Sequence, residues 1–179
     1  LSIDHGARVT GHHLHWALDR GARREDLLTP HDHTAPGHKR SEEWWQIYEA
    51  PYEEQYHSTR FVTERTQQFI KESCEGDEPW MALCSYPDPH HPMCPPGPWF
   101  DRHSPDDMLL PQSRHDPLEH APAHLRLFQG VHPAKQRDWV APCGFGNDRL
   151  LSQAIAATYG MIEMGDEGVG QILRQLEEL

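Results

Sequence analysis

The clearest periodic stretch runs over residues 59–73. Phe61, Val62, Thr66, Phe69 and Ile70 fall near one face, and Glu64, Arg65 and Lys71 take polar positions. This spacing predicts an amphipathic helix, capped by Ser58 or Thr59 and ended by Gly76 and Pro79. The run Trp80-Met81-Ala82-Leu83-Cys84-Ser85-Tyr86 follows it and is almost unbroken in apolar character. Such a run predicts a strand buried on both faces of a parallel sheet. A helix followed by a buried strand is half of a βαβ unit, so the expected class is α/β.

The row Leu151, Ile155, Tyr159, Ile162, Asp166, Val169, Leu173, Leu176 advances in steps of three and four. It predicts one long helix over 149–179, or two joined near Gly165. Gly160, Gly165, Gly168 and Gly170 each cost about 1 kcal/mol relative to alanine in a helix interior, which points to close packing against a neighbour. Asp166 interrupts the apolar row and reads as a structural acid held by a partner. The pattern reaches Leu179 without a C-cap glycine, as expected for a piece of a larger domain. Elsewhere, His13 to Arg20 reads as a short helix and Thr29 to Arg40 as loop. Trp44, Trp45, Ile47 and Tyr48 read as packing, and residues 87–148 as proline-rich loop.

Composition narrows the function classes. Sixteen basic and 28 acidic residues give a net charge of −12, which argues against a nucleic-acid partner. No stretch nears the ~20 apolar residues of a membrane span. Cys74, Cys84, Cys94 and Cys143 include no Cys-x-x-Cys pair, so they read as free thiols.

The sharpest chemistry lies in Tyr86-Pro87-Asp88-Pro89-His90-His91-Pro92. Three prolines restrict the backbone around two adjacent histidines, which leaves little entropy to lose on binding. At the carboxyl end of the expected strand, an imidazole can donate a hydrogen bond to an anion or pass a proton to a leaving group.

Residues 85–92, then Pro95-Pro96-Gly97-Pro98-Trp99-Phe100, then Ser104 to Pro111 resemble the central part of sulfatases of the alkaline-phosphatase superfamily. His57 to Arg65 is similar to the helix before that part, and Ala157 to Gly170 to the family's long helix. Asp4-His5-Gly6 and Gly11-His12-His13 resemble an earlier segment. The resemblance implies an alkaline-phosphatase-like mixed sheet sandwiched by helices, incomplete in this chain, with residues 1–179 as a partial catalytic domain. It implies that His90 contacts a sulfate ester and assists departure of the leaving oxygen, with His91 at the variable position of the substrate site. The implied substrate is a small-molecule or carbohydrate sulfate ester.

The family's nucleophile is a formylglycine made from Cys or Ser in a Cys-x-Pro-x-Arg-like motif, which none of the four cysteines matches. The implied cation is calcium. Asp106-Asp107 stands in the wrong place for the family's metal pair, so no metal ligand is assigned here. The segment is therefore expected to need the remainder of a parent domain and to be inactive alone. Two other readings stay open: a phosphonate or phosphate ester hydrolase of the same superfamily, and a metal-binding module built on His12-His13-x-His15, His31-x-His33 and His90-His91.

Overall fold

The structure is a computed structural model, and it describes residues 11–28, 37–124, 126 and 147–179. The tract His31-x-His33, the segment around Asp4 and Cys143 lie outside the described residues. Among the described residues the fold is carried by α1 (His12–Asp19), α2 (Arg24–Leu28), α3 (Ser58–Cys74) and α4 (Asp148–Glu178). Short 3-10 turns at Glu54–Tyr56, Gly97–Trp99, Pro105–Asp107 and Gln112–His115 punctuate the connections.

The helix over 59–73 forms as its period predicts, with a different cap. The N-cap is His57, whose Nδ1 accepts from the Thr59 amide at 3.2 Å. Arg60 donates to Glu64 one turn on, at 3.1 Å, and Lys71 stands in the last turn, where the helix dipole favours a cation. Phe61, Val62 and Ile70 are buried as expected, whereas Phe69 is 40% exposed. Trp16 and Ala17 of α1 close over Phe61 and Val62, with the Trp16 and Phe61 rings edge to face at 5.3 Å.

The second cluster joins Trp44 and Ile47 to Leu150, Ala154 and Ala157 of α4, with Met93 and Phe100 against it. The aromatic run at 44–48 is thus core, as its composition suggested. Burying each large side chain of this kind contributes about 1.5–3 kcal/mol.

The expected mixed sheet is absent. Among the described residues no strand forms; Ile47 pairs with Met93 and Ala50 with Pro96 only as isolated parallel bridges. The run 80–86 lies outside regular structure, with Met81 and Leu83 each 90% exposed. Cys84 and Tyr86 pack against the α1–α3 cluster, and the Trp80 ring meets Phe69 edge to face at 5.7 Å. A strand needs neighbours to take its backbone hydrogen bonds, and among the described residues none lies alongside this run. The fold is helix-dominated, not α/β.

The long helix is one unbroken element of 31 residues, started by Asn147, whose side chain accepts from the Leu150 amide at 3.0 Å. Its buried face is not the predicted one. Leu150, Ala154, Ala157, Gly160, Met161, Met164 and Gly168 face inward. Tyr159, Ile162, Val169, Leu173 and Leu176 are exposed, and so is Asp166. Asp166 therefore meets solvent, which removes the need for a buried partner. Small residues won the inward face because α4 sits close on its neighbours: a Cβ on Gly160 would overlap the Trp99 carbonyl. Gly165 has nothing within 4 Å and imposes no break.

Candidate functional site

The proline-bracketed loop at 87–92 hangs on α3 and on the 46–50 segment. On its entry side, Thr59 Oγ1 donates to Asp88 Oδ2 at 2.6 Å. One helical turn on, Thr63 Oγ1 lies 2.9 Å from the Tyr86 hydroxyl. Thr63 spends its own proton on the Thr59 carbonyl, at 2.9 Å, so Tyr86 is the donor to Thr63. On the exit side, the Met93 amide donates to Gln46 O at 2.7 Å and the Tyr48 amide to Met93 O at 3.2 Å. Between these supports the His90 amide closes a turn onto Pro87 O at 3.0 Å. The Asp88–Pro89 and His91–Pro92 peptides are cis.

His90 is exposed at the tip and His91 is half-buried. Their rings stack with centroids 4.0 Å apart at 31°. His90 Nδ1 lies 2.6 Å from His91 O. A carbonyl only accepts, so Nδ1 carries the proton in this bond, and the neutral ring keeps its lone pair on Nε2. The two residues singled out by sequence are thus brought together on one turn. The expected setting, the mouth of a sheet, is replaced by a helix N-terminus.

Beneath the tip lies a polar layer that sequence reasoning missed. His57 and Asp88 are 3% and 8% exposed, with His57 Nδ1 3.6 Å from Asp88 Oδ2. That separation exceeds a hydrogen bond, and the Nδ1 lone pair is already taken by the Thr59 amide. The Tyr52 ring covers His57 at 6.0 Å. Desolvation pushes the Cys94 thiol up to about 12; a hydrogen bond from Tyr48 works against the rise and nearby Asp88 adds to it. Desolvation also drives the Tyr48 and Tyr52 hydroxyls well above the usual tyrosine range. Tyr86 is pushed up to about 12, first by desolvation, with its bond to Thr63 opposing. These groups stay neutral near pH 7, so Cys94 offers no thiolate nucleophile. The available signal was the pair of threonines four apart on the helix beside Tyr86 and Asp88 two apart on the following chain.

The remaining sequence candidates do not converge here. His13 is a core histidine, with Nε2 2.8 Å from Tyr56 O and its ring against Trp16 and Phe61. Asp106 and Asp107 stand on an exposed turn. Among the described residues, no three His, Cys, Asp or Glu side chains gather as a bound ion would require. The described residues therefore fit neither a calcium centre nor a histidine metal module. Among the described residues no helix is long and apolar enough to cross a membrane.

Over 77 residues the chain is 27% identical to a protein of Escherichia coli (strain K12) named uncharacterized sulfatase YidJ. The match covers 43% of this chain and 16% of that relative, so the chain spans only a small part of the relative's length. No protein-family model and no solved structure matches. The similarity is to a sulfatase in part of the chain and reaches no further.

Proposed function

We propose that this chain is the histidine-bearing central segment of a sulfuric ester hydrolase, in which His90 contacts the ester and assists departure of the leaving oxygen. The observation that carries the reading is the presentation of His90. Its ring is exposed at the tip of a turn whose two ends are hydrogen-bonded to buried structure. The partial similarity to a sulfatase supports the same class.

The chemistry would run through Nε2, because Nδ1 is committed to His91 O. Nε2 donates only when the ring is doubly protonated, so the ring that meets the ester is the imidazolium. That cation would stabilise charge developing on the departing oxygen and could hand it a proton. His91 lines the same turn and takes the secondary, substrate-side role. A formylglycine nucleophile and a divalent cation would come from outside the described residues, in the remainder of a parent domain.

The test is aryl sulfate hydrolysis by a protein that joins this segment to its flanking sequence. His90→Ala should lower kcat far more than His91→Ala, by about 10²-fold or more for a lost general acid. Equal effects of the two substitutions would remove the assignment. Faster hydrolysis of the matching aryl phosphate or phosphonate would move the substrate class from sulfate to phosphorus esters.

A further inference from the structure

We infer that Thr59 and Thr63 act as a positioning clamp that sets the direction of the His90 ring. The inference rests on the reading of His90 given above and deepens it. The clamp has two rungs: Thr59 to Asp88 at 2.6 Å and Thr63 to Tyr86 at 2.9 Å.

The match between the two sides is geometric. Four residues of α-helix rise about 6 Å. Two residues of extended chain advance about 6.6 Å and return side chains to the same side. Threonines at i and i+4 on α3 can therefore meet Tyr86 and Asp88 at j and j+2 in one register. A slip of one residue would present Pro87, which has no side-chain donor or acceptor.

Both rungs are sheltered. Thr59 and Thr63 are 2% and 1% exposed. Bonds in such surroundings are expensive to leave unmade, so the register is strongly held. Gly168 of α4 completes the support, since a Cβ there would lie 2.5 Å from Thr63 Oγ1 and 2.9 Å from the Tyr86 hydroxyl. Asp88 is two residues from His90, with Pro89 between them. Fixing Asp88 against the helix fixes the backbone that carries His90 and His91, and the Nδ1 bond to His91 O at 2.6 Å then sets the ring on that backbone. Thr59 and Thr63 touch no reacting atom in this arrangement; they act through Asp88 and Tyr86.

The experiment uses the 179-residue chain with 13C-labelled histidine, read by NMR. The His90 Hε1–Cε1 signal is assigned by its loss in His90→Gln. The wild-type chain should show a ring-to-ring NOE between His90 and His91, from the 4.0 Å stack. Thr59→Val keeps the shape and deletes the donor, and should cut that NOE at least twofold and move the His90 signal toward that of a free histidine. Thr59→Ser should restore both. Asp88→Ala breaks the same rung from the loop side and should reproduce the Thr59→Val spectrum even if the buried valine fails to fold. An unchanged His90 signature in folded Thr59→Val or in Asp88→Ala, or no rescue by serine, overturns the clamp. If the clamp behaves as expected while His90→Ala leaves ester hydrolysis intact, the clamp stands and the hydrolase role of His90 falls.

Discussion

Gly168 of α4 lies directly against Thr63 of α3: a Cβ on the glycine would sit 2.5 Å from the threonine hydroxyl. One absent methyl group thus lets the two long helices close on the polar ladder under the His90 loop. Arg60 to Gln171 at 2.9 Å and Gln175 to the Gln67 carbonyl at 2.8 Å extend the same helix–helix contact.

The glycines of α4 should separate into two kinds. Gly168→Ala and Gly160→Ala force a side chain into Thr63 or into the Trp99 backbone, and each should cost about 1–3 kcal/mol as an overpacking change. Gly165 has open space around it, so Gly165→Ala should stabilise by about 0.5–1 kcal/mol through helix propensity. Urea denaturation of the three variants checks this. Equal effects at 165 and 168 would show that α4 does not pack as described.

The Cys94 thiol should resist alkylation. Burial raises it to about 12, whereas Cys74 is exposed. Cys94 is half-buried, so at pH 8 iodoacetamide followed by peptide mapping should label Cys74 quickly and Cys94 much more slowly. Rapid labelling of Cys94 in the folded chain would contradict the buried layer.

The same thiol predicts an alkaline loss of stability. Its folded-state pKa lies above the ordinary 9.0, so above pH 9 the unfolded chain sheds a proton that the folded chain retains. The contribution is complete below pH 9 and is lost as pH rises toward 12. Tyr86, also raised to about 12 from 10.0, acts in the same direction. The melting temperature should therefore decline across this window, and less steeply in Cys94→Ala. Identical alkaline slopes for the two proteins would exclude Cys94 as a source.

The apolar run 80–86 should tolerate polar substitution on its open side. Met81→Ser and Leu83→Ser remove side chains that are 90% exposed, and each should change stability by no more than about 0.5 kcal/mol. Tyr86→Phe deletes the bond to Thr63 and should cost about 1 kcal/mol. A large loss at Met81 or Leu83 would mean that the run is covered in solution.

No turnover of an aryl sulfate is expected from the 179-residue chain itself. The described residues gather no cluster of three metal-ligating side chains, and burial keeps the Cys94 thiol protonated near neutral pH. Hydrolysis by the purified chain that is lost in His90→Ala would overturn the view that the remainder of a parent domain is needed.

What the sequence by itself determined was local. The 3.6-residue period placed α1, α3 and the long helix, and the prolines marked a stiff turn that displays His90 and His91. The aromatic run at 44–48 was recognisable as core because no arrangement in water favours leaving it open. Tertiary structure decided the rest. An apolar run becomes a strand only where partners take its hydrogen bonds, so 80–86 stayed outside a sheet. Helix α4 carries two faces able to pack, one large and apolar, one small. Close approach to Trp99 and Thr63 chose the small face and left Val169, Leu173 and Asp166 outside. The support of His90 by Thr59 and Thr63 depends on two segments meeting in register, and hydrophobic periodicity carries no information about that meeting.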